Sequence, residues 1–261
     1  MDAEISFFKH ARFMKKSQIT IFIIIGLIFV VALAILFLLI KKPDIKILDD
    51  KTPQPFIESC TQEAVEDAIA ILSKQGGDIA PKGYLSYNSE NIVYLCYTSE
   101  YYEPCINQRP LLIEHIQNEI TAYITPRVQD CFFELEGSLS SRYDVESTPL
   151  VITTLLQPKT IVITVDKKFN MAREEEVMNF DHFKITLAHP LYNLAEIAME
   201  ITNQESLYCN FDELGYMILY PSYDIESFIT GESNIVYKVT ERSSEQAFAF
   251  AARSCPLPSG Y

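Results

Sequence analysis

The sequence predicts an α+β protein: a single N-terminal transmembrane helix, then an extracytoplasmic domain (ectodomain) of antiparallel sheet with about three helices. Three patterns predict this class. An uncharged apolar run lies near the start, apolar residues recur at helical spacing in three later segments, and the strand-like segments follow one another as hairpins. This grouping favours α+β over a parallel sheet, in which strands and helices alternate one by one.

The apolar run comprises the 22 residues from Ile19 to Ile40 and contains no charge. As a helix rising about 1.5 Å per residue it would be roughly 33 Å long, enough to cross a hydrocarbon core of about 30 Å. The run is longer than the apolar part of a secretory signal, and no A-x-A cleavage site follows it. We therefore expect a signal-anchor that stays in the lipid bilayer through residues 19–40.

Flanking charges indicate the orientation of this predicted helix. Four Lys or Arg residues lie within the eight positions from Lys9 to Lys16, whereas Lys41 and Lys42 follow the run. The positive-inside rule then places the N-terminus in the cytoplasm and the later domain outside the cell membrane. The short leader either lies on the lipid headgroups through its aromatic and basic residues or is a disordered tail.

These observations divide the chain into four segments. We expect a cytoplasmic leader over 1–17, a transmembrane helix over 18–42, a linker over 43–55 and an extracytoplasmic domain over 56–261. The linker contains three prolines, at Pro43, Pro53 and Pro55. Because the residue before a proline disfavours helical geometry, the apolar helix should end at Lys42, and the linker should be semi-stiff.

The left edge of the run, Lys15-Lys16-Ser17-Gln18, resembles the class III (prepilin-like) signal of archaeal type IV pilin-like proteins. In that family basic residues precede a small residue, cleavage follows it, and the apolar helix becomes the mature N-terminus. The resemblance implies cleavage between Ser17 and Gln18. The chain is also similar to uncharacterised archaeal membrane proteins with this opening, whose ectodomain starts with an E-S-C helix ending in Q-G-G, here Glu58-Ser59-Cys60 and Gln75-Gly76-Gly77.

Two features differ from the pilin pattern. Many pilins carry Glu at the fifth mature position, where this chain has Phe22. Pilin helices also often continue into the globular head, whereas Pro43 interrupts helical geometry here. A permanent membrane anchor is therefore the leading interpretation, and a filament subunit is the alternative.

Three segments after the linker have the apolar spacing of helices. The first is Phe56–Gln75, and Gly76-Gly77 supplies a left-handed stop. The second opens at Arg109-Pro110, with Pro126 expected to kink or break it. The third opens at His189-Pro190, where His189 is expected to be a helix-start residue.

Apolar and β-branched segments bounded by turn residues predict strands. Asn88-Ser89-Glu90 and Gln157-Pro158-Lys159 have the composition of hairpin turns. The predicted strands are residues 84–87, 92–97, 150–156, 160–165, 177–187, 216–220, 235–240 and 247–252.

The charge of the chain limits its partners. The net charge is −14, although six basic residues stand against two acidic ones through Lys42, so the acidic excess lies in the later domain. Nucleic-acid binding needs Lys and Arg in excess, so it is not expected. An acidic, well-solvated surface fits an exported domain.

All six cysteines follow the apolar run, and no C-x-x-C spacing occurs. An even number confined to one side of a membrane indicates disulfides in an oxidising compartment, with buried thiols as the alternative. Six cysteines allow 15 pairings. We hypothesise Cys96–Cys105, closing a loop around Tyr101-Tyr102, with Cys60–Cys131 and Cys209–Cys255 as the other pairs.

No catalytic or cofactor motif is recognisable. The sequence lacks G-x-S-x-G, H-E-x-x-H and any glycine-rich phosphate loop. Asp181 and His182 are neighbours on a predicted strand, so their side chains should point to opposite faces. His115 suits a solvated helix face, and Glu174-Glu175-Glu176 a solvated turn. We therefore expect no enzyme activity, no cofactor and no metal.

The aromatic residues are the best binding candidates. Tyr94 and Tyr97 are expected to fill the core of a strand, whereas Tyr101 and Tyr102, in an acidic loop, are expected at the surface. Exposed tyrosines can form a platform for a protein or glycan partner. The expected function is thus a non-enzymatic, membrane-anchored ectodomain with a recognition or structural role. The alternatives are self-assembly as a pilin-like filament subunit and an extracytoplasmic enzyme of unknown class.

Overall fold

The computed structural model of the protein describes Gly26, Leu27, Phe29, Val30 and residues 52–258. The chain divides into two units between Ile47 and Leu48, and the later unit contains residues 52–258. The four earlier residues are helical, and Leu27, Phe29 and Val30 are exposed. Most of the predicted membrane span lies outside the described residues. Within the described part of the chain, no helix is both long and apolar enough to cross a membrane.

The described domain is α+β, as predicted, with two sheets in which most strand pairs are antiparallel. Helix α1 (Gln54–Leu72) begins two residues before the predicted start, because Pro55 is accommodated in its first turn rather than ending the linker. The helix ends before Gly76 and Gly77, which have φ values of 75° and 96°. This confirms the predicted left-handed stop, since glycine adopts positive φ without steric cost.

Helix α2 (Leu112–Leu139) runs antiparallel to α1 and is joined to it by the Cys60–Cys131 disulfide. Pro126 was predicted to kink or break this segment. It does not break it, because one helix of 28 residues continues through the proline. Thr121 and Thr125 donate hydroxyl hydrogen bonds to backbone carbonyls four residues back, at 2.8 and 2.7 Å. The carbonyl that loses its helical donor to Pro126 is that of Ala122, so these two bonds flank the proline and do not replace the missing one.

The first sheet is mixed, which the purely antiparallel prediction missed. Its six strands are β1 (Tyr84–Tyr87), β2 (Glu90–Tyr97), β3 (Ile106–Asn107), β8 (Tyr223–Ile229), β9 (Ile235–Glu241) and β10 (Ala247–Arg253). Their order is β1-β2-β10-β9-β8, with β3 also pairing with β2. All these pairs are antiparallel except β2 with β10, which are parallel.

The second sheet is antiparallel, as predicted, and its four strands are β4 (Asp144–Ser147), β5 (Val151–Gln157), β6 (Thr160–Arg173) and β7 (Glu176–Ala188). The 14-residue strand β6 is at its centre. Strand β7 lies along one side of β6, while β4 and β5 pair with successive parts of its other side. The ladder between β6 and β7 is irregular between Asp166 and Phe169.

Helix α3 (Leu191–Tyr208) contacts strands of both sheets and helix α2. The short helix α4 (Glu213–Leu219) occupies a segment that was predicted to be a strand at residues 216–220. That prediction is wrong because Asp212 caps a helix here: its Oδ1 accepts a hydrogen bond from the Gly215 N–H at 3.0 Å. The edge strand that follows, β8, begins only at Tyr223.

One hydrophobic core joins the two sheets and the helices α1, α2 and α3. In its centre Phe132 of α2 packs against Phe169 and Phe183 of the second sheet, with ring centroids 5.9 and 5.1 Å apart. A smaller cluster of Ile92, Val236 and Ala251 covers the other face of the first sheet. The main core therefore holds α3 against strands of both sheets.

Candidate recognition surface

The loop between β2 and β3, residues 98–105, carries Tyr101 and Tyr102 and is held at both ends. The Cys96–Cys105 disulfide closes it across nine positions of sequence. The Thr98 N–H donates to the Arg253 carbonyl at 3.1 Å, and the Cys255 N–H donates to the Glu103 carbonyl at 2.9 Å. These bonds tie the loop to the end of β10.

A second disulfide fixes the segment against which this loop lies. Cys209, which ends α3 in the left-handed conformation, pairs with Cys255 just after β10. The Tyr102 N–H donates to the Pro256 carbonyl at 3.1 Å. The structure thus contains the same three disulfide pairs that were hypothesised from the sequence, and two of them brace the tyrosine loop.

Three tyrosine rings at this place reach solvent. Tyr101 and Tyr102 are 50% and 58% exposed, and Tyr97 is 39% exposed. Tyr101 and Tyr102 are therefore at the surface, as expected, but the core position expected for Tyr97 is wrong. Tyr94 is half-buried, and its hydroxyl donates to Asn234 Oδ1 at 3.0 Å. Burial raises the pKa of Tyr94, and the neighbouring Tyr97 adds to the increase.

Arg253 lies among these rings. Its guanidinium carbon is 6.0 Å from the Tyr97 ring centroid and 5.8 Å from that of Tyr101. Nη1 donates to the Thr98 carbonyl at 2.5 Å, which fixes the orientation of the planar group. We call Tyr97, Tyr101, Tyr102 and Arg253 the tyrosine platform.

The tyrosine platform has the chemistry of a binding surface. Tyrosine offers large rigid rings with a polar tip, and arginine offers several fixed donors, so both residues are common at the centres of protein interfaces. The two disulfides limit the conformational entropy that binding would otherwise remove. Sequence analysis missed Arg253, because 152 positions separate it from Tyr101 in the chain.

His115 was expected on a solvated helix face. It lies instead in a hydrogen-bonded cluster. Its Nε2 is 2.6 Å from Oδ1 of the buried Asp78, and Arg109 Nη2 is 3.2 Å from Oδ2. Burial alone would raise the pKa of Asp78, but the His115 hydrogen bond and the Arg109 charge together lower it. The cluster fastens the loop after α1 to the start of α2.

His182 pairs with a carboxylate, but not with its sequence neighbour Asp181. Its Nδ1 lies 2.6 Å from Asp166 Oδ1, across the β6–β7 ladder. The side chain of His182 is 75% exposed, so water competes for this contact. The pair sits beside the ladder irregularity, in a shallow 260 Å³ hollow.

His189 lies two residues before the first residue of helix α3, at the predicted helix start. Its Nδ1 accepts a hydrogen bond from the Leu191 N–H at 3.1 Å, which places the ring proton on Nε2, 3.2 Å from Gln246 Oε1. Burial lowers the pKa of His189, which favours the neutral ring that an accepting Nδ1 requires. Its nitrogens serve as a helix cap and a tether.

A buried carboxyl that sequence analysis did not single out lies near the platform. Glu205, in the last turn of α3, is 1% exposed and accepts a hydrogen bond from the Tyr237 hydroxyl. Burial raises the pKa of Glu205, and burial beside that carboxyl also raises the pKa of Tyr237. Ser254 donates to the Glu205 carbonyl at 2.8 Å, which links this cluster to the end of β10.

The remaining predicted sites can be placed briefly. Glu174 and Glu175 form the exposed turn between β6 and β7. Among the described residues, no group of three or more His, Cys, Asp or Glu side chains could hold a metal ion. The predicted processing site, Ser17 and Gln18, lies outside the described residues.

Comparison of the chain with protein-family models, with curated proteins and with solved structures found no match.

Proposed function

We propose that this protein is a single-pass, membrane-anchored ectodomain with a non-enzymatic recognition or structural role outside the cell membrane. The observation that carries the proposal is the pairing of all six cysteines, each of which follows the apolar run, in three disulfides. Disulfides persist in oxidising compartments, and the excess of positive charge before the run directs the N-terminus to the cytoplasm. Residues 18–42 would then be the anchor.

The tyrosine platform is the recognition surface in this proposal. Exposed rings, a fixed guanidinium and two bracing disulfides are the properties that support it. Its partner would be a protein or a glycan, since tyrosine faces pack against both apolar side chains and sugar rings.

Anchoring can be tested on the full chain in cell membranes. We expect the protein to stay in the pellet after carbonate extraction, and external protease to digest the domain of intact cells. Replacing Phe29 by Arg together with Val30 by Asp puts two charges into the apolar run, which should release the protein to the supernatant. Replacing Lys42 by Gln is the control and should leave it in the pellet. If protease added outside intact cells did not digest the domain, the proposed orientation would be refuted.

The tyrosine platform needs its own test. The full chain in detergent micelles is applied to an array of defined glycans and of purified surface proteins. We expect the double substitution Tyr101→Ala and Tyr102→Ala to weaken any specific binding at least about tenfold, as loss of a hot spot does. Tyr208→Ala, which removes another exposed ring, is the matched control. Equal binding by all three proteins would exclude the platform as the recognition surface.

The second candidate function is a pilin-like filament subunit. The Lys15-Lys16-Ser17-Gln18 sequence favours it. Phe22 does not, because many pilins have Glu at that position, and neither does α1, which begins as a separate helix at Gln54. Mass spectrometry of the mature N-terminus distinguishes the two. A chain that starts at Gln18 supports the filament route, and an intact leader supports the permanent anchor.

A further inference from the structure

Helix α4 presents an apolar face to solvent. Leu214 and Ile218, four residues apart and so on the same side of the helix, are 72% and 80% exposed, and Leu219 next to them is 75% exposed. We call these three residues the α4 face. None of the seven residues of the helix is buried. Large apolar side chains that are exposed together, rather than singly, mark surfaces that contact a partner or a membrane.

The other side of α4 fastens the helix to the domain. The Tyr216 ring lies 5.5 Å from the ring of the buried Phe211. Met217 Sδ accepts a hydrogen bond from the Ile225 N–H of β8 at 3.3 Å. At about 100° of rotation per residue, Tyr216 and Met217 lie on the side of the helix that is turned away from the α4 face. Packing of the domain therefore sets the outward direction of the α4 face.

The α4 face carries no charge, and the helix contains no Lys or Arg. The one acidic residue of the helix, Glu213, is half-buried and lies outside the face. Tyr220, which follows the helix, is 51% exposed. Its ring has a polar tip, and tyrosines of this kind concentrate at the boundary between lipid and water. The composition thus suits the acyl region beneath headgroups that carry no net charge.

The length of chain before the domain limits what the α4 face can meet. Thirteen residues, 41–53, separate the apolar run from helix α1, and a chain of that length spans at most about 45 Å when fully extended. An apolar run held in a bilayer keeps the domain within that distance of the lipid. Tethering by a short linker gives an effective concentration of about a millimolar, so a small apolar face is enough for binding.

We propose that the α4 face inserts into the membrane that holds the chain, as a second lipid contact beside the anchor; this inference rests on the proposed anchoring through residues 19–40. The three apolar side chains enter the acyl region, and Tyr220 lies among the headgroups. The lipid is zwitterionic, because an anionic surface repels the acidic domain. Two contacts, unlike a single tether, fix which side of the domain points away from the membrane.

The sequence contains no tryptophan, so a single introduced tryptophan supplies all the indole fluorescence. The full chain carrying Ile218→Trp is reconstituted in phosphatidylcholine vesicles with or without bromine on the acyl chains, because bromine quenches only an indole that reaches them. We expect the brominated lipid to remove at least about half of the emission.

Phe133→Trp is the matched control. Phe133 is 77% exposed, but it lies one helical turn from Asp130 and from Glu136 on α2, so it stands alone among charged side chains. Its emission should fall by less than about a tenth, since a single exposed ring does not form an apolar patch. Quenching of Phe133→Trp as strong as that of Ile218→Trp would overturn the assignment to α4.

Phe29→Trp, in the apolar run, separates this inference from the anchor itself. Quenching of Phe29→Trp without quenching of Ile218→Trp would overturn the α4 contact and leave the anchor in place. Quenching of Ile218→Trp alone would refute the anchor and keep the lipid contact of α4. No quenching at either position would overturn both.

A second substitution tests whether the apolar character of the α4 face matters. Leu214→Asp combined with Ile218→Trp puts a charge into the face and should reduce the quenching at least about fivefold. Gln129→Asp adds the same charge at an exposed position of α2 and should leave the quenching unchanged. Equal quenching in both double variants would overturn the proposal. So would an Ile218→Trp indole that brominated lipid does not quench and that becomes accessible to aqueous iodide on dilution, which would indicate a second copy instead.

Discussion

At the scale of single residues, Glu205 links the core to the end of β10 at an energetic cost. Its side chain is buried, and Oε2 has no hydrogen-bond partner within the described residues. Burial raises its pKa above the ordinary value of 4.5 despite the hydrogen bond from Tyr237. The unfolded chain therefore ionises first as the pH rises, and the stability contributed by this group falls from about pH 4.5 up through the folded-state pKa.

Glu205→Gln should remove this pH dependence, because the amide still accepts from Tyr237 but does not ionise. We expect the variant to be more stable than the wild type at pH 8 by about 1 kcal/mol, which is ~2–4 °C in Tm for a domain of this size. Thermal unfolding followed by circular dichroism from pH 4 to pH 8 measures it. Glu226→Gln, at an exposed ion pair, is the control and should change little. A wild-type Tm that rises with pH beyond the control would contradict the assignment.

Asp78 should show the opposite sign. Its pKa is lowered in the folded state, so its contribution to stability is present above the unfolded pKa and is lost as the pH falls through the folded one. Asp78→Asn should cost about 2 kcal/mol at pH 7, below the roughly 3–5 kcal/mol of a fully buried pair, because Arg109 and His115 remain 29% and 27% exposed. Urea unfolding at pH 7 and pH 3 measures the cost, which should shrink at pH 3.

Asp67→Asn is the control for that experiment. Asp67 accepts a 2.7 Å hydrogen bond from Arg127, but both side chains are well exposed. Such a surface pair contributes up to about 1 kcal/mol. If the two substitutions cost the same at pH 7, Asp78 does not fasten the loop after α1 to α2 as described.

At the scale of the elements, α2 tolerates a proline that the sequence led us to expect as a kink or break. Proline removes one helical hydrogen bond and crowds the carbonyl four residues back, so Pro126→Ala should stabilise the domain. We expect a gain of about 1–2 kcal/mol, below the ~3 kcal/mol of a free helix, because the proline also restricts the unfolded chain and its replacement removes that stabilising restriction. Chemical denaturation measures it, with Asp130→Ala on the same helix as the control. A loss of stability would show that the packing of α2 requires the proline.

Elements defined by strong periodicity were predictable, and those that depend on distant contacts were not. Strands β9 and β10 lie within one residue of their predicted bounds, and helix α3 begins one residue after the predicted opening at His189-Pro190. Residues 216–220 are apolar and aromatic in a short run, where periodicity does not separate helix from strand, and the Asp212 cap decides the outcome. The parallel pairing of β2 with β10 joins residues more than 150 positions apart, which no local pattern encodes.

The candidate sites follow the same division. The surface positions of Tyr101 and Tyr102 were predictable from an acidic loop before a proline, which is a local signal. Arg253 reaches the platform, and Tyr237 reaches Glu205, only through the pairing of distant strands.

At the scale of the whole molecule, the three disulfides should contribute unequally to stability. Each restricts the unfolded chain, and the restriction grows with the length of the closed loop. The sequence separations are 71 for Cys60–Cys131, 46 for Cys209–Cys255 and 9 for Cys96–Cys105. Chain-entropy arguments then give about 4.4, 4.0 and 2.6 kcal/mol in that order.

Double Cys→Ala variants of each pair test this ranking by urea unfolding of the otherwise oxidised protein. We expect the Cys60/Cys131 variant to lose the most stability and the Cys96/Cys105 variant the least. The Cys96/Cys105 variant should nevertheless lose binding at the tyrosine platform, because that disulfide closes the loop bearing Tyr101 and Tyr102. The Cys60/Cys131 variant is the control for binding, since it leaves the loop closed. A Cys96/Cys105 variant that binds normally would separate the disulfide from recognition and leave it a purely stabilising role.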